Sequence, residues 1–388
     1  MVQDILIELV RGIGRFFLHP ALYVTLLFSV LIGYFRVKRE RRQFRARVLW
    51  GGTEAKRLFE GYLLAIILSA ISLLVGLVVP TEWLLLLSGC MILFILLFVY
   101  QLGSPIYAFA LAIGTMIILD YFTISFTFLN MDISGQGFLE EPIVPFALLA
   151  GLLLIAEGIL IQRFAARNAS PRLVKTARGI EAMEYVAKRL WILPIFVVIP
   201  GDVIHTYLPY WPQFPIGESM FSLVLFPFVI GFQQKSRKSL AVEFFPRYGK
   251  AIWQLGIGVT VLAAFGYLYP MLGVITIIVG LIIRIVMAVV ASKNEHSGTF
   301  AVAPQPDGVM IAGVLSDSPA EKMGLKVGER IVKVNGQKVV NEQELYEAVQ
   351  INAAHCRLEV LDINGELRLR QHILFRHDHY RLGLILVR

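Results

Sequence analysis

Five ionisable side chains interrupt the long apolar stretches of the sequence, and these residue types could do chemistry inside a membrane. They are Asp120, Glu157, Asp202, His205 and Arg284. Charged groups within membrane spans are rare and mark substrate or proton pathways. Asp202 and His205 share one Pro-interrupted segment, where they suit either such a pathway or the cap of a re-entrant turn. A transporter is therefore one hypothesis, although we find no matched pair of interrupted segments.

Proteolysis requires nucleophile or metal motifs that the sequence does not contain. An intramembrane metalloprotease needs HExxH, and no histidine has that spacing. A serine protease needs GxSG or GxSxG, and neither Ser134 in MDISGQG nor Ser219 in GESM fits. The run His377, Asp378 and His379 is more typical of a solvated polar patch than of a metal site. We expect no enzyme, metal or other cofactor, with a membrane protease as an alternative.

The composition identifies the environment in which these residues lie. Apolar residues make up 57% and charged residues 16% of the 388 residues, against about 25% charged in an ordinary globular protein. This shortfall predicts an integral membrane protein. The two cysteines, Cys90 and Cys356, imply no disulfide framework, which fits a reducing compartment for the tail. The start, MVQDILIELV, lacks the features of a removable signal peptide.

Apolar runs of about 20 residues predict about nine helical membrane spans. The predicted spans are 16–35, 62–79, 83–100, 105–122, 143–161, 190–207, 216–232, 252–269 and 271–291. The sixth and seventh are the weakest, because Pro194 and Pro200 interrupt the sixth, which we expect to be kinked or re-entrant. The eighth and ninth are divided at Pro270, since one helix over both would be about 60 Å long.

Lysine and arginine gather in three loops, which predicts the orientation. The loops after the first, fifth and seventh spans hold nine, seven and five of them, whereas the loops between hold none. Arg11 and Arg15 near the start are the exceptions. Because basic loops remain in the cytoplasm, we expect the N-terminus outside and the tail inside.

The densest basic run predicts a juxtamembrane patch. Its members are Arg36, Lys38, Arg39, Arg41, Arg42, Arg45 and Arg47. A topology signal with attraction to anionic lipids explains most of this run, at about 1 kcal/mol per charge. The run could also dock an acidic partner. Nucleic acid is not expected, because no aromatic and basic platform accompanies it.

The sequence divides into a membrane domain and a small soluble tail. The predicted fold class is a polytopic α-helical membrane domain, residues 1–291, followed by a small α+β domain. A polar linker is predicted at 292–297 and the α+β domain at 298–388.

Local signals place the elements of the tail. GVMIAGVL is typical of a strand, and Ser318 and Gly324 bound a short helix. RIVKVNGQKVV alternates about Asn335-Gly336, which predicts a two-residue hairpin turn. Asn341 caps the amphipathic helix NEQELYEAVQ, and CRLEVLDINGELRLRQHI predicts a further strand pair.

The order SPA, GL, GERIVKVNG and amphipathic helix resembles the PDZ family. The resemblance implies peptide binding by strand addition, in a groove between a strand and the second helix. The implied groove residues are Leu382, Gly383, Leu384, Leu345, Ala348 and Val349. The last three suit either the groove wall or the core. The carboxylate-binding loop matches YRLGLILV at 380–387 better than GTFAVA at 298–303, which implies either a permuted domain or an altered edge.

Two strings, FFLHP at 16–20 and GYFRVKRER at 33–41, add to this layout. Together they resemble the MinJ-like cell-division topological determinants. The resemblance implies a non-catalytic membrane adaptor at septa and poles that links a DivIVA-like scaffold to a MinD-like ATPase. The residues alone predict a membrane platform that presents a cytoplasmic peptide-binding module. They leave open which partner binds which region and whether the chain forms homo-oligomers.

Overall fold

A computed structural model describes residues 10, 12–123, 125–128, 131–134, 143–176, 179–200, 214–216, 219–351, 355–373 and 382–387. Apolar helices and a small α+β domain account for most of them, as the predicted fold class requires. The helices of the membrane domain are α1 (Pro20–Phe44), α2 (Thr53–Lys56), α3 (Tyr62–Val75), α4 (Thr81–Leu96), α5 (Pro105–Tyr121), α6 (Ile143–Leu160), α7 (Ala241–Ala264) and α8 (Met271–His296). Its strands are β1 (Ser125–Phe128), β2 (Met131–Ser134), β3 (Ser170–Lys175), β4 (Glu181–Pro200), β5 (Phe214–Ile216) and β6 (Ser219–Ser236).

Among the described residues, four helical segments are long and apolar enough to cross a membrane. They are Pro20–Phe44, Ile143–Asn168, Ala241–Tyr267 and Met271–His296. The apolar helices α3, α4 and α5 have 14, 16 and 17 residues, short of the roughly 20 that a full span requires. The described residues therefore do not confirm the predicted count of about nine spans.

The helix α6 lies at the centre of the helical bundle. Its spanning window is 89% buried, against 22% for α8. A helix that is apolar on every side is expected to be surrounded by other elements rather than to present one face. The surrounding elements include α7, whose Gly249 and Gly256 let the two backbones approach closely.

The described parts of the sixth and seventh predicted spans lie in two long strands, which corrects the prediction of helices. β4 pairs antiparallel with β6, from Tyr185 opposite Ser236 to Pro200 opposite Phe221. A continuous apolar run has the same pattern in a buried strand and a buried helix. The β-branched and aromatic residues of WILPIFVVIP are the feature that favoured the strand.

Proline is tolerated in this hairpin because of its register. Pro194 lies opposite Pro227. Ile192 and Phe196 donate their N–H groups to acceptors outside the hairpin, and so does Gly231 of β6. Because N–H directions alternate along a strand, the N–H that each proline lacks would also point outward. Neither proline therefore removes a bond between β4 and β6.

Other elements cover the outer edges of the hairpin. Uncovered strand edges are not tolerated in lipid, where no water satisfies the backbone. The covering bonds run from Ile192 N to Leu58 O (2.9 Å), from Val79 N to Val198 O (2.9 Å) and from Gly231 N to Gly103 O (2.8 Å). The hairpin is thereby built into the helical bundle on both sides.

The α+β domain is an antiparallel sheet with two helices. Its elements are β7 (Val309–Val314), α9 (Pro319–Lys322), β8 (Arg330–Val334), β9 (Gln337–Lys338), α10 (Glu342–Ile351), β10 (Cys356–Leu361), β11 (Leu367–His372) and β12 (Leu384–Leu386). The strand order is β11-β10-β8-β7-β12, with β9 on β8. The last described strand thus pairs with the first.

The predicted local signals of this domain are confirmed. Ser318 Oγ accepts from Glu321 N at 3.2 Å, as an N-cap does. Asn341 Oδ1 accepts from Glu344 N at 2.8 Å. The hairpin turn at Asn335-Gly336 has positive φ at both residues, as a type I′ turn requires.

Most of the predicted linker is helical. Helix α8 continues to His296. The Glu295 carboxylate accepts from the N–H groups of Arg237, Lys238 and Ser239 at 2.8, 2.9 and 3.1 Å. This contact fixes the end of α8 to the turn after β6 through Glu295, whereas the neighbouring polar residues Lys293, Asn294, His296 and Ser297 are exposed.

Candidate peptide-binding edge and juxtamembrane site

The strand β12 forms an edge of the α+β sheet. It pairs antiparallel with β7, and no described strand pairs with its other side. Gly383 O and Val387 N both bond toward β7. Because backbone groups alternate along a strand, the N–H and C=O groups of Leu384 and Leu386 point away from the sheet. Such an edge can bond an extended peptide.

A glycine is required where the chain enters this edge. Gly383 has a φ of +77°, and a Cβ there would lie 2.2 Å from Ser318 Cβ. Leu382 O accepts from Ala320 N at 2.9 Å. Leu382 and Gly383 therefore lie closely against the start of α9, at the entry to the sheet edge.

The three predicted groove residues of α10 lie in the domain core. Leu345, Ala348 and Val349 are 0%, 1% and 0% exposed. They share one hydrophobic cluster with Leu382 and Leu384. Of the two alternatives, the structure thus places these side chains in the core, where they support the edge strand from beneath.

The second candidate for the carboxylate-binding loop, 298–303, lies elsewhere. Val302 O accepts from Met183 N of β4 at 3.0 Å, and Ala301 N donates to Arg237 O at 2.9 Å. This segment therefore attaches to the end of the β4–β6 hairpin where Tyr185 lies opposite Ser236, which we call the hairpin base, and not to the β12 edge.

The α+β domain is docked on the same base. Tyr185 of β4 donates its hydroxyl to Ala312 O of β7 at 2.8 Å. Met310, Ile385 and Val387 belong to the hydrophobic cluster of the membrane domain. Alternate residues of β12 thus face the domain core and the hairpin, as the two-residue period of a strand dictates.

Two of the intramembrane charges form a buried ion pair. Arg284 Nη2 lies 2.7 Å from Glu157 Oε1, and the side chains are 4% and 0% exposed. Arg284 also donates to the Tyr248 hydroxyl at 2.8 Å, and Ser104 Oγ donates to Glu157. The pair joins α6 to α8, so it has a structural explanation that requires no transport pathway.

The remaining chemical candidates give no site in the described part of the chain. Asp120 is half-buried near the end of α5. The described residues contain no group of three histidine, cysteine or acidic side chains arranged for a metal. Asp202, His205 and the run 377–379 lie outside the described residues, as do the side chains of Ser134 and Ser219.

The basic juxtamembrane run divides into a buried and an exposed part. Arg36 is 7% exposed and donates to Glu54 Oε1 at 2.6 Å and to Glu40 Oε1 at 3.0 Å. It therefore belongs to a buried ion cluster and not to the surface patch. Arg39 is half-buried and donates to Ser170 Oγ at 2.7 Å. The exposed members are Lys38, Arg41, Arg42, Arg45 and Arg47.

Comparison with known proteins identifies the family. The chain is 32% identical over 396 residues to the cell division topological determinant MinJ of Bacillus subtilis (strain 168), which covers 98% of this chain and 96% of that protein. The chain belongs to the MinJ family of cell division topological determinants. The probable MinJ of Lacticaseibacillus paracasei is 40% identical over 79 residues, 20% of this chain and 22% of that protein.

Residues 310–362 of this MinJ-family chain match the PDZ domain model. A probable periplasmic serine endoprotease of the DegP-like type, from Marinomonas sp. (strain MWYL1), is 43% identical over 53 residues. That likeness covers 14% of this chain and 11% of the endoprotease, so it is partial and says nothing about proteolysis. The strand β12 lies outside residues 310–362 that match the PDZ domain model, although it pairs with β7 and completes the sheet.

Sequence reasoning missed the contacts that join the two domains of this MinJ-family chain. Tyr185 and Met183 lie in EAMEYVAKR, which we assigned to a basic loop. That segment carries no clear strand signal, because its apolar and polar residues do not alternate regularly: Ala182 and Met183 are adjacent, as are Tyr185, Val186 and Ala187. The long apolar run that follows was instead assigned to a membrane span.

Proposed function

We propose that this MinJ-family chain is a non-catalytic membrane adaptor for division-site placement. It connects a DivIVA-like scaffold at poles and septa to a MinD-like ATPase, and its PDZ domain binds one partner by strand addition. The supporting observation is the outward-facing backbone of Leu384 and Leu386 on β12, because an extended segment satisfies such groups.

The docking of the PDZ domain suits this role. The domain is attached to the hairpin base through Tyr185 and the bridge between Met183 and Val302. A PDZ domain fixed to the membrane domain holds its bound partner at the membrane surface. The effective concentration of that partner is thereby raised for a second contact with the membrane domain.

The charges around the docking site support a cytoplasmic PDZ domain. Glu184 pairs with Arg172 and Lys235 at the hairpin base, and Arg237 lies 4.0 Å from the Phe300 ring. Basic residues near membrane spans favour the cytoplasmic side. Two strands that go out and return preserve the parity of two spans, which supports the predicted orientation.

Glycine variants test the role of the β12 edge. Gly383→Ala introduces backbone strain of about 1–2 kcal/mol together with the contact to Ser318. Gly365→Ala is the matched control, because Gly365 also has positive φ and nothing lies within 4 Å of its Cβ position. We expect Gly383→Ala to reduce recovery of a DivIVA-like or MinD-like partner at least fivefold, with little effect from Gly365→Ala.

Cellular localisation and membrane topology provide two further tests of the proposed function. A fluorescent fusion of the full chain should collect at septa and poles, and deletion should give filaments or misplaced septa. Uniform membrane fluorescence with normal division would contradict the adaptor role. A reporter fused after Arg388 that is active outside the cell alone would contradict the orientation.

A further inference from the structure

We propose that a cavity at the inner end of α1 binds the phosphate of an anionic phospholipid. The cavity has a volume of about 260 Å³. Arg36 and Arg39 of α1, Lys188 of β4 and Tyr100 after α4 contribute to its wall. The site is separate from the β12 edge and does not depend on the adaptor role.

The charges around the cavity leave an excess of positive charge. Arg36 is neutralised by Glu40 and Glu54, which lie 3.0 and 2.6 Å away. No described carboxylate lies within 4.0 Å of the cationic groups of Arg39 or Lys188. Two cations in a partly enclosed wall repel each other more strongly than they would in water. An anion between them would relieve that repulsion.

Two polar groups in the wall lack a partner. Arg39 Nε and the Tyr100 hydroxyl are buried and have no hydrogen-bond partner among the described residues. Tyr100 is 1% exposed, and Lys188 Nζ lies 4.3 Å from the centroid of its ring. Buried polar groups are normally paired, and an unpaired group costs about 1–3 kcal/mol. A phosphate oxygen would accept from both donors.

The mouth of the cavity is apolar. Phe35 is 53% and Phe98 49% exposed, and both rings line the cavity. Phe98 also has a φ of +58°, at a helix end where glycine is the usual residue. Strained backbone conformations of bulky residues cost free energy and cluster at functional sites. We therefore include Phe98 in the proposed binding site. Exposed rings beside a cationic cavity fit a ligand with both a phosphate and acyl chains, which favours a lipid over free phosphate.

Lipid titration of the full chain in detergent tests the site. The probes are phosphatidylglycerol, phosphatidylcholine and inorganic phosphate, and the readouts are the thermal unfolding midpoint and lipid adducts in native mass spectrometry. We expect phosphatidylglycerol to raise the midpoint and to remain bound. An equal effect of phosphatidylcholine would contradict the requirement for a net negative charge on the ligand. Saturation of the site by inorganic phosphate would show that free phosphate, rather than a lipid, is the ligand.

Charge-neutralising variants separate this cavity from the basic surface. Arg39→Gln and Lys188→Gln each remove a charge-assisted hydrogen bond, so we expect about tenfold weaker phosphatidylglycerol binding. Arg41→Gln and Arg42→Gln are the controls, because both side chains lie on the exposed part of α1, and we expect less than a twofold change. Equal losses of phosphatidylglycerol binding in all four variants would contradict binding in the cavity and indicate attraction to the basic surface instead.

Tyr100→Phe keeps the proposal testable if a charge variant fails to fold. The hydroxyl has no described partner, so its removal should leave the unfolding midpoint without lipid unchanged or higher. We expect weaker phosphatidylglycerol binding by a few fold. Unchanged binding in Tyr100→Phe together with unchanged binding in Lys188→Gln would exclude the site.

Discussion

Glu157 of α6 and Arg284 of α8 meet at 2.7 Å in the interior of the helical bundle, with almost no exposure of either side chain. The two residues are 127 positions apart in the chain. Their separation in sequence made each look like an isolated intramembrane charge, whereas the structure shows that each is the other's main partner.

Breaking this pair should strongly destabilise the membrane domain. Glu157→Gln leaves the buried Arg284 charge without its partner, so we expect a loss of about 3–5 kcal/mol. The double variant Glu157→Leu/Arg284→Leu removes both charges and should recover most of the loss. The measurement is thermal or denaturant unfolding of the detergent-solubilised chain.

The exposed pair Glu243–Arg247 is the control for that experiment. Its atoms are 3.7 Å apart and its side chains are 43% and 79% exposed, so Glu243→Gln should cost less than about 1 kcal/mol. If Glu157→Gln cost no more than Glu243→Gln, the ion pair would not hold α6 to α8.

Close approach of two glycines fixes the β6 edge to the chain before α5. A Cβ on Gly103 would lie 2.5 Å from Gly231 Cα, and Gly231 N donates to Gly103 O at 2.8 Å. Gly103→Ala should therefore separate the two backbones and destabilise the protein by about 1–3 kcal/mol. Unfolding of the solubilised chain measures the effect.

Gly114→Ala is the matched control for the glycine contact. Gly114 lies in α5 with nothing within 4 Å of its Cβ position, so the change should be neutral or stabilising by about 0.5–1 kcal/mol. Equal effects of the two substitutions would show that the glycine contact is unimportant.

Docking of the PDZ domain should depend on Tyr185. Tyr185→Phe removes the hydrogen bond to Ala312 O, at a cost of about 0.5–1.5 kcal/mol. We expect the domain to undock more often, which limited proteolysis between 297 and 308 would report as faster cleavage. Tyr121→Phe, at an 81% exposed residue, should leave the rate unchanged. Equal rates in both variants would argue against the docking contact.

Cys356 should be unreactive in the folded PDZ domain. It is 0% exposed, and burial raises the pKa of its thiol to about 11. The thiolate fraction at pH 8 is then roughly a hundredfold below that of an unperturbed cysteine. Mass spectrometry after maleimide treatment should find Cys356 labelled in denaturant alone. A cysteine introduced by Asn364→Cys, at an exposed turn, should be labelled under native conditions. Labelling of native Cys356 at a similar rate would contradict the described burial.

The elements of the PDZ domain were predictable because their signals are local. The N-caps at Ser318 and Asn341 and the turn at Asn335-Gly336 each depend on a few neighbouring residues. The family resemblance also came from short strings, and whole-chain similarity confirms it.

The β4–β6 hairpin was not predictable in the same way. Its apolar run fits a helix or a strand equally well by periodicity. The strand is favoured by partners distant in sequence, such as Leu58 and Gly103, which satisfy its outer edges. Likewise, the sequence could not decide whether Leu345, Ala348 and Val349 face a groove or the core, because that depends on where β12 lies.

The sequence by itself determined the membrane character, the concentration of lysine and arginine beside the apolar runs, the PDZ elements and the family, because composition and short-range spacing carry these properties. Tertiary structure alone decided the pairing of Glu157 with Arg284, the burial of Arg36, the docking through Tyr185 and the cavity beside Lys188. Each of these requires residues from distant segments to meet, and a contact free energy depends on that meeting rather than on the residue types alone.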